Sequence, residues 1–246
     1  MSTAVTKKQS SAVSVVDFGL GDDYQGLELQ SKDVVIPHIQ LLQKGVEWEE
    51  LNDVAWKPGD FYNSATDELI KGSFEALVID MRVTTKMGGP QPDPKVRRET
   101  IRFSSDGIHW DDDGSPITAA DREGKNPHDF LENVAIDSYH YIVILKDTDF
   151  PVLLTFKGAS YRNAKSLNFA LSRLQPTWKC WTKFYAEDGQ SGDNKFKKLV
   201  GKVQPKALLT DQDMAVLALE TWKASKGQRL KSKELGTDDD ESPSYD

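Results

Sequence analysis

An α+β fold with a five-stranded barrel at its centre follows from three observations on the sequence. Two apolar, β-compatible runs, "YHYIVILK" (139–146) and "PVLLTFK" (151–157), are separated only by "DTDF", which predicts a hairpin. The segment after them, "ASYRNAKSLNFALSRL" (159–174), places Ala164, Leu167, Leu171 and Leu174 on one helical face, with Arg162, Lys165, Ser172 and Arg173 elsewhere. Beyond it, "TWKCWTKFYA" (177–186) and "KFKKLVGKVQ" (195–204) read as two further strands around the loop "EDGQSGDN".

Taken in chain order, residues 1–30 are rich in Ser, Thr and Asp without sustained periodicity and read as a disordered N-terminal segment. The folded domain spans 31–226 and opens on "VVIPHIQLLQKG", where Pro37 favours a strand or turn entry over a long helix. "KPGDFYNSATDELIKGSF" is turn-rich β structure punctuated by Pro58-Gly59 and Lys71-Gly72. "FEALVIDMRVTT" (74–85) is the first long strand. Residues 86–138 form a polar insertion, too long for a structureless loop, so it is expected to carry a small β element of its own. The two Asp-Gly turns in "IRFSSDGIHWDDDGSPI" place a hairpin there, and "TAADREGKNPHDF" reads as loop or one helical turn. "LTDQDMAVLALETWKAS" is a closing helix with Thr210 or Asp211 as N-cap, and residues 227–246 are a disordered acidic tail.

The sequence of strand, insertion, strand, strand, helix, strand, strand is the order used by OB barrels, whose helix lies between strands 3 and 4. The five strands are 74–85, 139–146, 151–157, 177–186 and 195–204. OB barrels commonly bind oligonucleotides, although a fold alone does not establish a function.

Charge is distributed in blocks that the net −8 conceals. Residues 106–137 hold nine acids against Arg122 and Lys125, a local −7. Residues 157–206 hold eleven bases against Glu187, Asp188 and Asp193, a local +8. Residues 234–246 hold six acids and no base, a local −6. Such asymmetry informs on partners more than the total does. The single cysteine, Cys180, excludes an internal disulfide and suits a reducing compartment. No apolar run reaches membrane-span length and no secretory signal precedes the domain, so a cytoplasmic location is expected.

"PTWKCWTKFY" (176–185) carries the functional argument. As a strand it alternates, with Trp178, Cys180, Thr182 and Phe184 on a core face and Lys179, Trp181, Lys183 and Tyr185 facing outward. The outward set interleaves flat rings with ammonium groups, the combination that single-stranded nucleic acid needs for base stacking and phosphate contact. The next strand adds Lys198 and Lys202 as phosphate contacts, and Arg162 and Lys165 form a rim. Tyr161 and Phe196 are equally readable as stacking or core residues. Lysine stems also cover aromatics on ordinary solvated sheets, so the concentration of bases in one unit decides in favour of a nucleic-acid surface.

Other chemistry is sparse. "HWDDDGSP" has its glycine too early for an EF-hand loop, and Arg122 stands where the twelfth-position glutamate belongs. His38, His109, His128 and His140 show no paired ligand spacing, and one cysteine excludes a thiolate zinc site. No phosphate-cradling loop, nucleophile elbow or dinucleotide fingerprint occurs. The expectation is therefore a non-enzymatic protein without cofactor or metal. A nuclease built from Asp80, Asp111 and Asp113 is the weakest alternative.

"IPHIQLLQKG" followed by "KPGDFYNSATDELIKG", and "LLTFKGASYRNAKSLNFAL" followed by "PTWKCWTKFY", together with the acidic, aromatic-bearing end, resemble single-stranded DNA-binding proteins of tailed bacteriophages over roughly residues 35–226. The resemblance implies sequence-independent binding of single-stranded DNA in replication and recombination, inside the host cytoplasm. It also implies recruitment of replication or recombination proteins through "DDDESPSYD", with Asp238, Asp239, Asp240, Glu241 and Tyr245 as contacts. A homo-oligomer is compatible with that role. Bacterial-type tails finish on Pro-Phe, whereas this chain finishes on Tyr245 and Asp246, and the acidic stretch 106–137 is unusual for a DNA-coating protein. The alternative reading is a protein-interaction or inhibitor module acting through those acidic segments.

Overall fold

The computed structural model describes residues 37–44, 55–89, 100–122, 134–192 and 194–226. It is an α+β chain dominated by one strongly curled, half-barrel sheet. The strands are β1 (His38–Leu41), β2 (Phe61–Asn63), β3 (Glu68–Ile70), β4 (Ser73–Gly88), β5 (Thr100–Ser104), β6 (Val134–Leu145), β7 (Pro151–Phe156), β8 (Cys180–Ser191) and β9 (Asn194–Leu208). The helices are α1 (Ala119–Arg122), α2 (Tyr161–Leu171) and α3 (Gln212–Ser225). Along the sheet the order is β3-β2-β1-β7-β6-β4-β8-β9, with β5 paired to the far end of β4.

All five expected long strands are present, and α2 connects the third to the fourth. Four antiparallel ladders join them: β4 with β6, β6 with β7, β4 with β8, and β8 with β9. The short β1 runs parallel to β7. The curl brings β9 back toward the chain just after β1. There the Gln43 side chain donates from Nε2 to the Lys197 carbonyl (2.9 Å) and accepts the Lys197 N–H at Oε1 (2.9 Å). A side-chain amide thus stands in for a strand partner and satisfies both peptide groups of Lys197.

Alternation gives the sheet two apolar faces. Phe74, Ala76 and Val78 of β4, Tyr141 and Val143 of β6, and Phe184 of β8 point to the inner face. Their rings interlock, with Phe74 and Phe184 stacked at 5.3 Å and Phe61 edge-on to Phe74 at 5.0 Å. Helix α2 covers this face with Ala164, Leu167 and Leu171, the expected apolar stripe. Gly201 makes the approach possible, because a Cβ there would stand 2.7 Å from a Leu167 methyl.

On the outer face Leu77, Ile79, Ile144 and Trp181 are covered by α3 through Ala218, with Met214, Leu217 and Trp222 packed around them. Asp211 caps α3, accepting the N–H groups of Asp213 (2.9 Å) and Met214 (3.2 Å). The other end of the helix is tied to β4: the Ser225 hydroxyl donates to Asp80 (3.0 Å) and Arg82 donates to the Ser225 carbonyl.

The polar insertion does carry β structure: β5 extends the β4 ladder, and an antiparallel bridge between His109 and Pro116 closes a small hairpin over the Asp113-Gly114 turn. Met87, Trp110, Ile117 and Ala135 make its small core. Gly107 has φ +70°, and a Cβ there would lie 2.7 Å from a Val83 methyl, so this turn needs glycine on both counts. No helix among the described residues is long and apolar enough to cross a membrane.

Candidate nucleic-acid interface

The structure modifies the alternation expected for 177–186. Thr177–Lys179 is a single 3₁₀ turn, with Trp178 at φ −86° and ψ 16°, so β8 begins only at Cys180. A bulge between Cys180 and Thr182 shifts the β9 register as well. Pleat alternation requires extended backbone, and the turn resets its phase. Trp178 therefore joins Trp181 on the outer cluster instead of the inner core, 5.8 Å from Trp222.

Trp181 itself is 9% exposed beneath α3. It lies on the expected face, but the closing helix covers that end, so its expected outward exposure is corrected: the ring is not an open stacking surface. Cys180 is buried, as a small apolar residue would be, and burial raises its thiol pKa. Lys179 is exposed in the turn before the strand.

From Lys183 onward the register is regular. Lys183 pairs with Lys202, Tyr185 with Val200, and Glu187 with Lys198. Paired residues share a face, so Lys183, Tyr185, Lys198 and Lys202 all lie on the outer face beyond the edge of α3. Glu75 pairs with Lys183 from β4, while Lys146, at the turn after β6, reaches the Glu75 carboxylate at 2.7 Å. One row across the sheet therefore reads Lys146, Glu75, Lys183, Lys202. Gln204 also donates to Glu75 (2.9 Å). Hydrogen bonds from Lys146 and then Gln204 hold the Glu75 pKa below the usual carboxylate range, and the bond to Glu75 raises that of Lys146. The Lys146 ammonium also stands 5.6 Å from the Trp181 ring centroid. Beside this row a cleft of about 430 Å³ opens, lined by Asn63, Glu68, Ser73, Glu75, Lys146 and Lys183, among others.

Tyr185 is half-buried, and its hydroxyl donates to Glu187 (3.2 Å). Phe196 lies over Gly189, where a Cβ would be 2.4 Å from the ring, so one of its faces is occupied by backbone. Lys197 points to the other face and pairs with Asp188 at 2.8 Å. Lys146 escaped sequence reasoning because it sits at a turn outside the basic block, and only the β4–β6 register brings it to this row.

Arg162 and Lys165 are exposed on α2, against the opposite face of the sheet from Lys183 and Lys202. The two groups nevertheless meet at the edge of β9. The Leu199 N–H donates to the Ser160 hydroxyl (2.9 Å), and the Leu199 carbonyl accepts from the Asn163 amide (2.8 Å). Leu199 adjoins Lys198, so the first turn of α2 borders the strand that carries Lys198 and Lys202. Tyr161 stacks on Tyr139 at 5.1 Å and donates to Asp137.

Among the described residues, the acids of the stretch 106–137 are occupied by their own fold. Arg102 binds Asp112 (2.8 Å) and Asp113 (2.7 Å). Asp111 accepts from Ser105, Asp121 from Thr118, and Asp137 from Thr85 and Tyr161. Burial opposes ionisation of Asp106, yet the N–H groups of His109 and Ile108 and the hydroxyl of Ser104 bring it down to about 2. Asp80 is engaged by Arg82 and Ser225, and no group of three potential metal ligands occurs among the described residues. Asp238, Asp239, Asp240, Glu241 and Tyr245, with the N-terminal segment, lie outside the described residues.

Neither the family models, the curated proteins nor the solved structures compared with this chain gave a match.

Proposed function

We propose that the protein binds single-stranded DNA without sequence preference, as a non-enzymatic component of phage replication or recombination, through the outer face of β8 and β9. The observation that carries this reading is the direct pairing of Lys183 with Lys202. Like charges directly opposite one another destabilise a sheet, and a chain retains such a conflict where the surface has a polyanionic ligand. Tyr185 and Lys198 on the same face supply a ring and a further cation. The described acids of the 106–137 stretch are engaged by Arg102, Arg122 and local donors, which favours this reading over an acidic interaction module.

The ladder pattern and the helix between the third and fourth long strands are compatible with an OB-like barrel, with β1 added beside β7. OB barrels commonly receive oligonucleotides on the second and third strands. In this chain the outer residues of those strands are engaged otherwise: Ile142 and Ile144 pack in the α3 cluster, and His140 is buried between Thr84 and Thr155. The fourth and fifth strands offer the accessible basic face. Recruitment of replication or recombination proteins by the acidic tail, a cytoplasmic location and self-association belong to the same proposal.

Titration of fluorescent single-stranded and duplex oligonucleotides at low and moderate salt tests the reading. Salt-sensitive binding that prefers single strands supports it, and absence of binding at low salt removes it.

A further inference from the structure

The segment 157–186 contains six bases (Lys157, Arg162, Lys165, Arg173, Lys179, Lys183) and no acid. Two of these bases are arranged on α2 and the turn after it in a way the β8–β9 face does not explain. Residues four apart on a helix lie over one another, and here aromatic and cation alternate at that spacing through Tyr161, Lys165, Phe169 and Arg173. The Lys165 ammonium sits 4.6 Å from the Tyr161 centroid, and the Arg173 guanidinium 4.2 Å from the Phe169 centroid. Phe169 is 63% exposed, the most exposed large apolar side chain among the described residues. The helix is anchored by its opposite stripe, Ala164, Leu167 and Leu171, so packing of the core does not require this row.

We infer that the Tyr161–Lys165–Phe169–Arg173 row is a second contact track for the same single strand, continuous with Lys198 and Lys202 around the edge of β9. This rests on the nucleic-acid reading above. The occupant follows from charge and shape. Two cations on one row fit a polyanion, and the exposed Phe169 ring beside Arg173 fits a ligand with a flat group between its charges. The half-buried Tyr161, stacked on Tyr139, fixes the Lys165 end of the row. Continuity follows from Ser160 and Asn163, which hold the first turn of α2 to Leu199, one residue from Lys198. Exposed Arg162, between those two anchors, stands at the crossing.

Length dependence of binding tests the inference on the full chain. The double variant Phe169→Ala/Arg173→Ala alters only exposed groups, and its fold is checked by circular dichroism and thermal unfolding. An oligothymidine of about 6 nucleotides, short enough for one surface, should bind the variant within about twofold of the unaltered protein. One of about 20 nucleotides should lose about tenfold in affinity, with a smaller occluded site. Equal affinities of both proteins for the long oligonucleotide overturn the second track and leave the β8–β9 face intact. Loss of a synthetic peptide of residues 234–246 by the variant, with long-oligonucleotide affinity unchanged, overturns it in favour of the acidic tail as occupant. Failure of the unaltered protein to bind either length removes the underlying reading as well.

Discussion

Lys183 stands directly opposite Lys202 on one face of adjacent antiparallel strands, and Glu75 flanks Lys183 from the other side. The carboxylate is itself engaged by Lys146 and Gln204, so the row carries three ammonium groups around one acid. Such a pair works against the sheet. Lys202→Glu should therefore raise stability by roughly 0.2–1 kcal/mol, read from the urea midpoint at unchanged m-value, while weakening oligonucleotide binding. A loss of stability would mean that contacts outside this row hold the lysine in place.

Glu75 lies between Lys146 and Lys183 in this row, so its removal should act in the direction opposite to most substitutions. Glu75→Gln keeps the shape and frees Lys146 to meet phosphate. Affinity for single-stranded oligonucleotides should rise several-fold and the salt dependence should steepen, both read from titrations at several salt concentrations. Unchanged affinity would place the ligand away from this row.

Trp181 has a different part from its neighbour Lys183. With its ring beneath α3, Trp181→Ala should cost about 3–5 kcal/mol of stability, in line with other large-to-small core substitutions. Denaturant unfolding measures this, with Lys183→Ala as the comparison that leaves stability within about 0.5 kcal/mol.

His140 is buried, with Thr84 (2.8 Å) and Thr155 (2.9 Å) on its two ring nitrogens. Burial, with Lys86 and Lys157 nearby, depresses its pKa to about 3. Above its ordinary value near 6.5 the ring is neutral in both folded and unfolded chains, and no stability is lost. As pH falls below that value the unfolded chain takes up a proton that the folded one refuses. Stability should then decline toward pH 3 by about 1.4 kcal/mol per pH unit for this one proton. Unfolding free energies from pH 7.5 to 4.5 check the slope, and His140→Gln should flatten it.

Much of the fold was legible because its long strands and α2 announce themselves by period. Val143 and Leu154 belong to runs that only a buried strand accommodates, and Ala164, Leu167 and Leu171 keep helical spacing. The site was legible less evenly. Lys183, Tyr185, Lys198 and Lys202 share a face because alternation survives from Thr182 onward. Trp178 lies on the other face from the one expected because a three-residue turn interrupts the pleat. Trp181, on the expected face, is covered because burial under α3 depends on contacts some 40 residues downstream (Ala218 against Trp181). Pro176, immediately before Thr177, was the available sign that the strand starts later. Lys146 and Gln43 could not be placed from sequence, since each acts on a residue more than 70 positions away.

The most direct test of the β8–β9 face as a nucleic-acid surface is the salt dependence of oligothymidine binding by the unaltered protein and by Lys183→Ala/Lys202→Ala. Each phosphate contact to a single strand contributes about 0.7 to the slope of log K against log salt. Loss of both lysines should lower the slope by about 1.4 and weaken binding at low salt. An unchanged slope, with unchanged affinity, would contradict the assignment of this face.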